Sequence, residues 1–158
     1  MSLLPFFRWC DHTWIGVTIR DSRFLFPIIE TFHLLALALL LATIFVVALR
    51  LFGFAMRSLP VGRIARPLAP WTLGSLAVML TSGILLFLSE ALKCYDSGPF
   101  RVKMSLLFPA IVFQFTIYRK VTTGDEAGIT RLRSSLVASV SLMLWFGVGL
   151  AGRAIGFY

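Results

Sequence analysis

The sequence predicts an all-α fold, a four-helix transmembrane bundle with an interfacial N-terminal segment. Three observations predict it. The stretch from Pro27 to Gly53 is apolar almost throughout, with Glu30 and His33 near one end and Arg50 at the other. Crossing a bilayer takes about 20 predominantly apolar residues. The chain of 158 residues is 58% hydrophobic, with a mean hydropathy of +0.88, whereas soluble domains are about half apolar by a broader count. The apolar residues also come in four blocks, separated by stretches rich in Pro, Gly or basic residues. One domain accommodates all four.

The net charge of +8 would suggest nucleic acid in a soluble protein. Here the basic residues flank apolar runs, where they anchor at headgroups. The expected partners are therefore the lipid bilayer and other membrane subunits or further copies of the chain, and not nucleic acid.

Residues 1–26 mix aromatics (Phe6, Phe7, Trp9, Trp14) with charges (Arg8, Asp11, Arg20, Asp21, Arg23). That composition suits a segment lying on the membrane surface. It contains no unbroken apolar signal-peptide core, so insertion is expected to be driven by the first spanning helix.

The first span is expected over 27–50. Pro27 fits the first helical turn, where its missing N–H costs nothing. Glu30 lies in that turn, where the helix dipole favours a carboxylate. His33 follows three residues later on the same face, and Arg50 snorkels at the far end. Residues 51–70 are expected to form a basic loop, with Pro60, Pro67 and Pro70 breaking helical continuity. The second span, 71–91, opens on Trp71 as an interface anchor. Gly74, Ser75, Thr81, Ser82 and Gly83 allow close helix approach in it, and Glu90 closes it. A short polar loop, 92–102, leads to the third span, 103–119. That span begins at Lys103, is expected to kink at Pro109 and carries Gln114 at membrane depth. After a polar loop, 120–133, the fourth span, 134–155, ends near Gly152 and Arg153.

Four spans place both termini on one side. Residues 51–70 and 120–133, with Arg50 and Arg119, carry 8 of the 15 basic residues. The charge is densest in these loops, which orients them inward and both termini outward. The same topology puts Cys10 and Cys94, the only two cysteines, on one side. If that side is oxidising, they are either joined as a Cys10–Cys94 disulfide or remain unrelated thiols.

Following each helix to the side of the termini collects Glu30 and His33, Glu90, Lys103 and Arg153, with His12 and Arg20 nearby. Lys103 and Arg153 also fit plain snorkelling at helix ends, and Glu30 can pair with either to make burial of charge tolerable. His33 is set apart by lying about two turns into an apolar helix, where an imidazole needs a hydrogen-bond partner or a metal. Glu30-x-x-His33 is half of a di-iron helical motif, without the second copy that motif needs. A tetrahedral zinc site would need four ligands from His12, His33, Cys10, Cys94 and the carboxylates. Haem b is the preferred metal reading, with His33 as one axial ligand. The second ligand would be Met79, Met104, Met143, His12, a residue of a partner chain, or none. Lys103 and Arg153 would then pair with the propionates.

The pattern FPxxExxH at Phe26–His33, LRLFG at Leu49–Gly53, Trp71-Thr72, Thr81–Gly83 with Phe87, Phe100–Lys103 and the Gly152-Arg153 ending together resemble an uncharacterised family of small bacterial four-helix membrane proteins. The resemblance covers nearly the whole chain and implies a bacterial inner (cytoplasmic) membrane; there the charge orientation given above makes both termini periplasmic. A more distant similarity is to the CopD/HemJ-like membrane group, in which one helix bears a His near one end and an Arg-Leu pair near the other. His33 and Arg50-Leu51 match that spacing. This similarity implies haem binding with protoporphyrinogen oxidation, or copper handling.

Three functions are therefore expected as alternatives. The first is a haem- or quinone-linked redox subunit working in electron transfer. In it His33 is the ligand or quinone contact, Glu30 its orienting or proton-accepting neighbour, and Lys103 and Arg153 hold propionates or a quinone carbonyl. The second is a non-catalytic accessory or assembly subunit of a larger membrane complex. The third is a small transporter or copper-handling protein using Met79, Met104 and Met143 as soft ligands.

Overall fold

A computed structural model describes residues 4–56, 58–123 and 130–156. The longest apolar block folds as α3, Leu25–Phe52. It stops at Gly53, whose φ of 76° is left-handed and whose N–H reaches the Arg50 carbonyl at 2.9 Å. A glycine closes a helix this way because it carries no Cβ to clash. The next helix, α4, is Val61–Ser89. A short helix α5, Ala91–Asp96, then turns the chain into α6, Gly98–Phe113. The last helix of that span widens into a π-helical turn at Gln114–Tyr118 and ends as α7, Arg119–Thr123. The fourth span is α8, Arg131–Ile155, capped by the Thr130 hydroxyl.

Four of these segments, Leu25–Phe52, Val61–Ser89, Gly98–Thr122 and Arg131–Ile155, are long and apolar enough to cross a membrane. The protein is a multi-pass helical membrane protein, with no strand among the described residues. α3 and α8 form the central pair, α4 packs along α3, and α6 packs along α8. Two apolar layers fill the interior. One joins Val47, Leu51, Ile64, Tyr118 and Ala138 at the α3–α4 connection end. The other joins Leu40, Ile44, Leu76, Met79, Trp145 and Val148 further along.

Two expectations from the sequence need correction. Residues 61–70 are helical, not loop, and Pro67 and Pro70 lie inside α4. Proline removes one bond to the carbonyl four residues back. Here that frees only the Arg63 and Arg66 carbonyls near the helix start, and membrane helices tolerate such gaps. Trp71 is consequently not at a helix start but ten residues in, and 61% exposed. Of residues 92–102, expected as loop, 92–96 belong to α5 and 98–102 to the start of α6.

The N-terminal segment is two short helices, α1 (Leu4–Asp11) and α2 (Trp14–Asp21). Both dock on the bundle end: α1 against α5 and α2 against α4. A Cβ built on Gly16 would collide with the Leu88 carbonyl oxygen, so α2 sits backbone to backbone on the end of α4. Arg20 Nη1 donates to Asp11 Oδ1 at 2.9 Å and to the Ser89 carbonyl at 3.2 Å. Phe7 inserts between Phe87, Tyr95 and Phe100, with ring centroids 5.5, 5.2 and 6.5 Å away. Trp9, Trp14 and Phe24 remain exposed on the outer face.

Candidate functional site

His33 lies on the inward face of α3, in line with Ala36, Leu40 and Ile44, and is 9% exposed. Its Nδ1 is 2.9 Å from the Ser82 hydroxyl of α4. That hydroxyl has one proton, and it goes to the Val78 carbonyl at 2.6 Å. With that proton on a backbone carbonyl, Ser82 Oγ accepts, and the geometry favours the tautomer that carries the ring proton on Nδ1. The Met79 carbonyl, also an acceptor only, lies beside the same ring. A neutral imidazole protonated at Nδ1 presents a bare lone pair at Nε2. No described residue hydrogen-bonds Nε2. Nor is Nε2 sealed away, since the one enclosed side-chain N or O without a partner among the described residues is Ser141 Oγ.

Glycines make room around this ring. A Cβ on Gly83 would sit 3.2 Å from His33 Cε1. Across the bundle, a Cβ on Gly152 of α8 would sit 3.4 Å from Lys103 Nζ and 3.5 Å from its Cε. Lys103 thus lays its stem over a gap in α8 and brings its ammonium inward. Its charge acts on both His33 and Cys94. Lys103 makes no hydrogen bond or ion pair with a described residue. A half-buried cation without a counter-charge is costly, and intramembrane charges of this kind are rare outside functional sites.

The other expected site residues fare differently. Glu30 is half-buried one turn before His33 and makes no hydrogen bond or ion pair with a described residue. Arg153 follows Gly152 and is exposed. His12 is on the outside, its side chain 78% exposed and its Nδ1 3.9 Å from Asp11. Met79 is sealed in the apolar interior at 4% exposure, while Met104 and Met143 face outward at 47% and 74%. Three sulfurs in such different places do not form one enclosed soft-ligand set. No three His, Cys, Asp or Glu side chains come together among the described residues, so a closed zinc or di-iron ligand set is not assembled there. Cys10 and Cys94 are both buried, free thiols on the packed helices α1 and α5. Burial pushes the Cys94 thiol up to about 11. The Glu90 carboxylate adds to this, while Lys103 and Lys93 oppose it.

Sequence reading alone assigned Ser82 and Gly83 to helix packing and read Gly152 only as part of a helix ending. Their roles in fixing the imidazole and clearing its surroundings depend on which faces meet.

Residues 6–158 match the family of unknown function DUF6644. The chain belongs to that family. No curated protein and no solved structure matches it. The uncharacterised family expected from the sequence pattern is in that sense met. A DUF6644 member of this kind thus offers its site geometry, and not a relative's activity, as the guide to function.

Proposed function

We propose that this chain is an integral membrane redox subunit that holds a quinone head group at His33 and Lys103. The observation that carries the reading is the one-sided imidazole. Nδ1 is tied to Ser82 while Nε2 is bare and not fully enclosed, within electrostatic reach of an ammonium without a counter-charge. A hydroquinone hydroxyl donates to Nε2, and a quinone carbonyl accepts from Lys103. Both oxidation states are therefore matched by two side chains of opposite hydrogen-bonding character. The Ser82 and Met79 oxygens hold the ring orientation, as partners of a ligating or proton-handling His commonly do.

Haem b is the second reading, because the same Nε2 lone pair suits an axial ligand and Lys103 suits a propionate. The quinone is favoured because it needs no second axial ligand, and the only other histidine, His12, is exposed. Copper handling lacks a gathered sulfur set. The cellular setting that goes with the proposal is a bacterial inner membrane with both termini periplasmic, supported by the basic density around the α3–α4 and α7–α8 connections. In that setting a Cys10–Cys94 disulfide would tie α1 to α5.

The test is titration of purified protein in lipid nanodiscs with a benzoquinone and its quinol, alongside visible spectra before and after dithionite. Saturable quinone binding that is lost in His33→Ala, with the helical circular dichroism unchanged, is expected. A Soret band that follows His33 would replace quinone by haem b. Protein prepared with both supplied that binds neither would overturn the redox reading in favour of an accessory subunit.

A further inference from the structure

A groove of about 340 Å³ runs along the outer seam of α3 and α4. Phe32, Leu35 and Leu39 form one wall, and Trp71, Gly74 and Val78 the other. No charged residue lines it. Seven residue steps from Phe32 to Leu39 give it a length of about 10 Å at a rise of 1.5 Å per residue. Its upper end is set by Phe32, the chain neighbour of His33, and by Val78, whose carbonyl takes the Ser82 proton. Its lower end, at Leu39 and Trp71, reaches the middle of α3. The groove therefore starts at the level of the His33–Ser82 contact and runs along the helix axes towards the middle of the first span.

Gly74 has no packing reason to be glycine. Gly83, Gly147, Gly149 and Gly152 in the spanning helices each face a neighbouring side chain, but a Cβ on Gly74 would meet nothing within 4 Å. A glycine in a helix interior costs about 1 kcal/mol relative to alanine. What Gly74 does supply is depth at the centre of the groove.

We infer that this groove seats the isoprenoid tail of the quinone whose head is held at His33, so that the ligand class is a long-chain lipid quinone. The inference rests on the head-group reading above. The His33–Ser82 contact and the upper end of the groove lie at one level of the α3–α4 pair, in the order in which such a molecule carries its head and tail. The tail gains packing contacts over bulk lipid rather than escape from water, so the expected gain is modest.

The experiment compares two probes in nanodiscs of fixed lipid composition: 2,3-dimethoxy-5-methylbenzoquinone, which has no tail, and the same ring carrying two isoprene units. Gly74→Phe fills the groove without touching His33. It is expected to weaken the tailed probe about fivefold, close to 1 kcal/mol, and to leave the tailless probe unchanged. Gly74→Phe that binds both probes as wild type does would overturn the inference, assigning the groove to ordinary acyl chains. Equal loss of both probes would also overturn it. His33→Ala that retains both probes would instead overturn the head-group reading, and wild-type protein that binds neither would overturn both.

Discussion

Replacing Ser82 with alanine tests the reading of His33 directly. The serine hydroxyl spends its proton on the Val78 carbonyl at 2.6 Å and receives Nδ1–H at 2.9 Å. Alanine removes the acceptor and leaves the ring proton facing only the Met79 carbonyl. One neutral hydrogen bond is worth about 1 kcal/mol net. For a chain of this size that is a fall in melting temperature of about 3 °C. The second effect falls on the tautomer. With its main acceptor gone, Nδ1 no longer monopolises the proton, and a share of the rings carry it on Nε2, where they cannot accept. A loss of about 1 kcal/mol in binding corresponds to about fivefold weaker affinity for a quinol. The assay is ¹⁵N NMR of ring-labelled protein in nanodiscs, with His12→Gln in the background so that a single imidazole reports. Wild-type protein is expected to show a protonated Nδ1 and a bare Nε2, and Ser82→Ala a mixture. A wild-type ring protonated on Nε2 would refute the reasoning. So would a Ser82→Ala protein with unchanged tautomer and melting temperature.

Three further outcomes follow from the geometry. Gly16→Ala forces a methyl against the Leu88 backbone carbonyl, which has no flexible end to yield. It should cost about 2–3 kcal/mol and free α1 and α2 for limited proteolysis; an intact N-terminal segment at wild-type protease resistance would contradict this. Arg20→Ala strips the cation from Asp11, whose side chain is only 10% exposed. The expected cost is about 2 kcal/mol, less than for a fully buried pair because Arg20 is itself 39% exposed. Adding Asp11→Asn should recover most of it in a double-mutant cycle, and full additivity would disprove the coupling. The Cys94 thiol is held neutral up to about pH 11, against 9.0 for an unperturbed thiol. In the unfolded chain it ionises first, so this contribution to stability is complete below about pH 9 and is lost between 9 and 11. The loss amounts to about 2–3 kcal/mol. Maleimide labelling of Cys94 under reductant should be slow at pH 8 and rise steeply towards pH 11, and labelling at the rate of a free thiol at pH 8 would exclude it.

The four spans and the prominence of His33 were legible because both rest on local composition: membrane-length apolar runs, and a lone imidazole two turns inside one. What escaped had non-local causes. Pro67 and Pro70 read as helix breakers, yet α4 contains both, because the freed carbonyls lie near its start. The partner of His33 is 49 positions away. Since α3 is apolar on every side, no stripe of residues announced which face turns inward or which residue of α4 it meets. Glu30 shares a helical face with His33 by spacing, but that spacing supplied no ion pair with Lys103, which approaches from another helix over Gly152. Small residues likewise read alike in sequence. Gly74 and Gly83 both suggest close packing, and only the surroundings separate one that faces a ring from one that faces an empty groove.

The π-helical turn at Gln114–Tyr118 carries a consequence for how such chains diverge. Such a turn houses one residue more than an α-helix of the same length. The inward positions, Ala110 before it, Gln114 and Tyr118 at its two ends, and Val121 and Thr122 after it, still meet the bundle, and Gln114 Oε1 accepts from Trp145 Nε1 at 3.4 Å. The turn is therefore a slack position in the third span. Deleting one residue between Phe115 and Ile117 would tighten it to ordinary α-helix while keeping both flanking faces in register. The same deletion anywhere in α3 would swing the His33 face about 100° out of the bundle. Length variation in homologous chains should accordingly collect at this turn and spare α3.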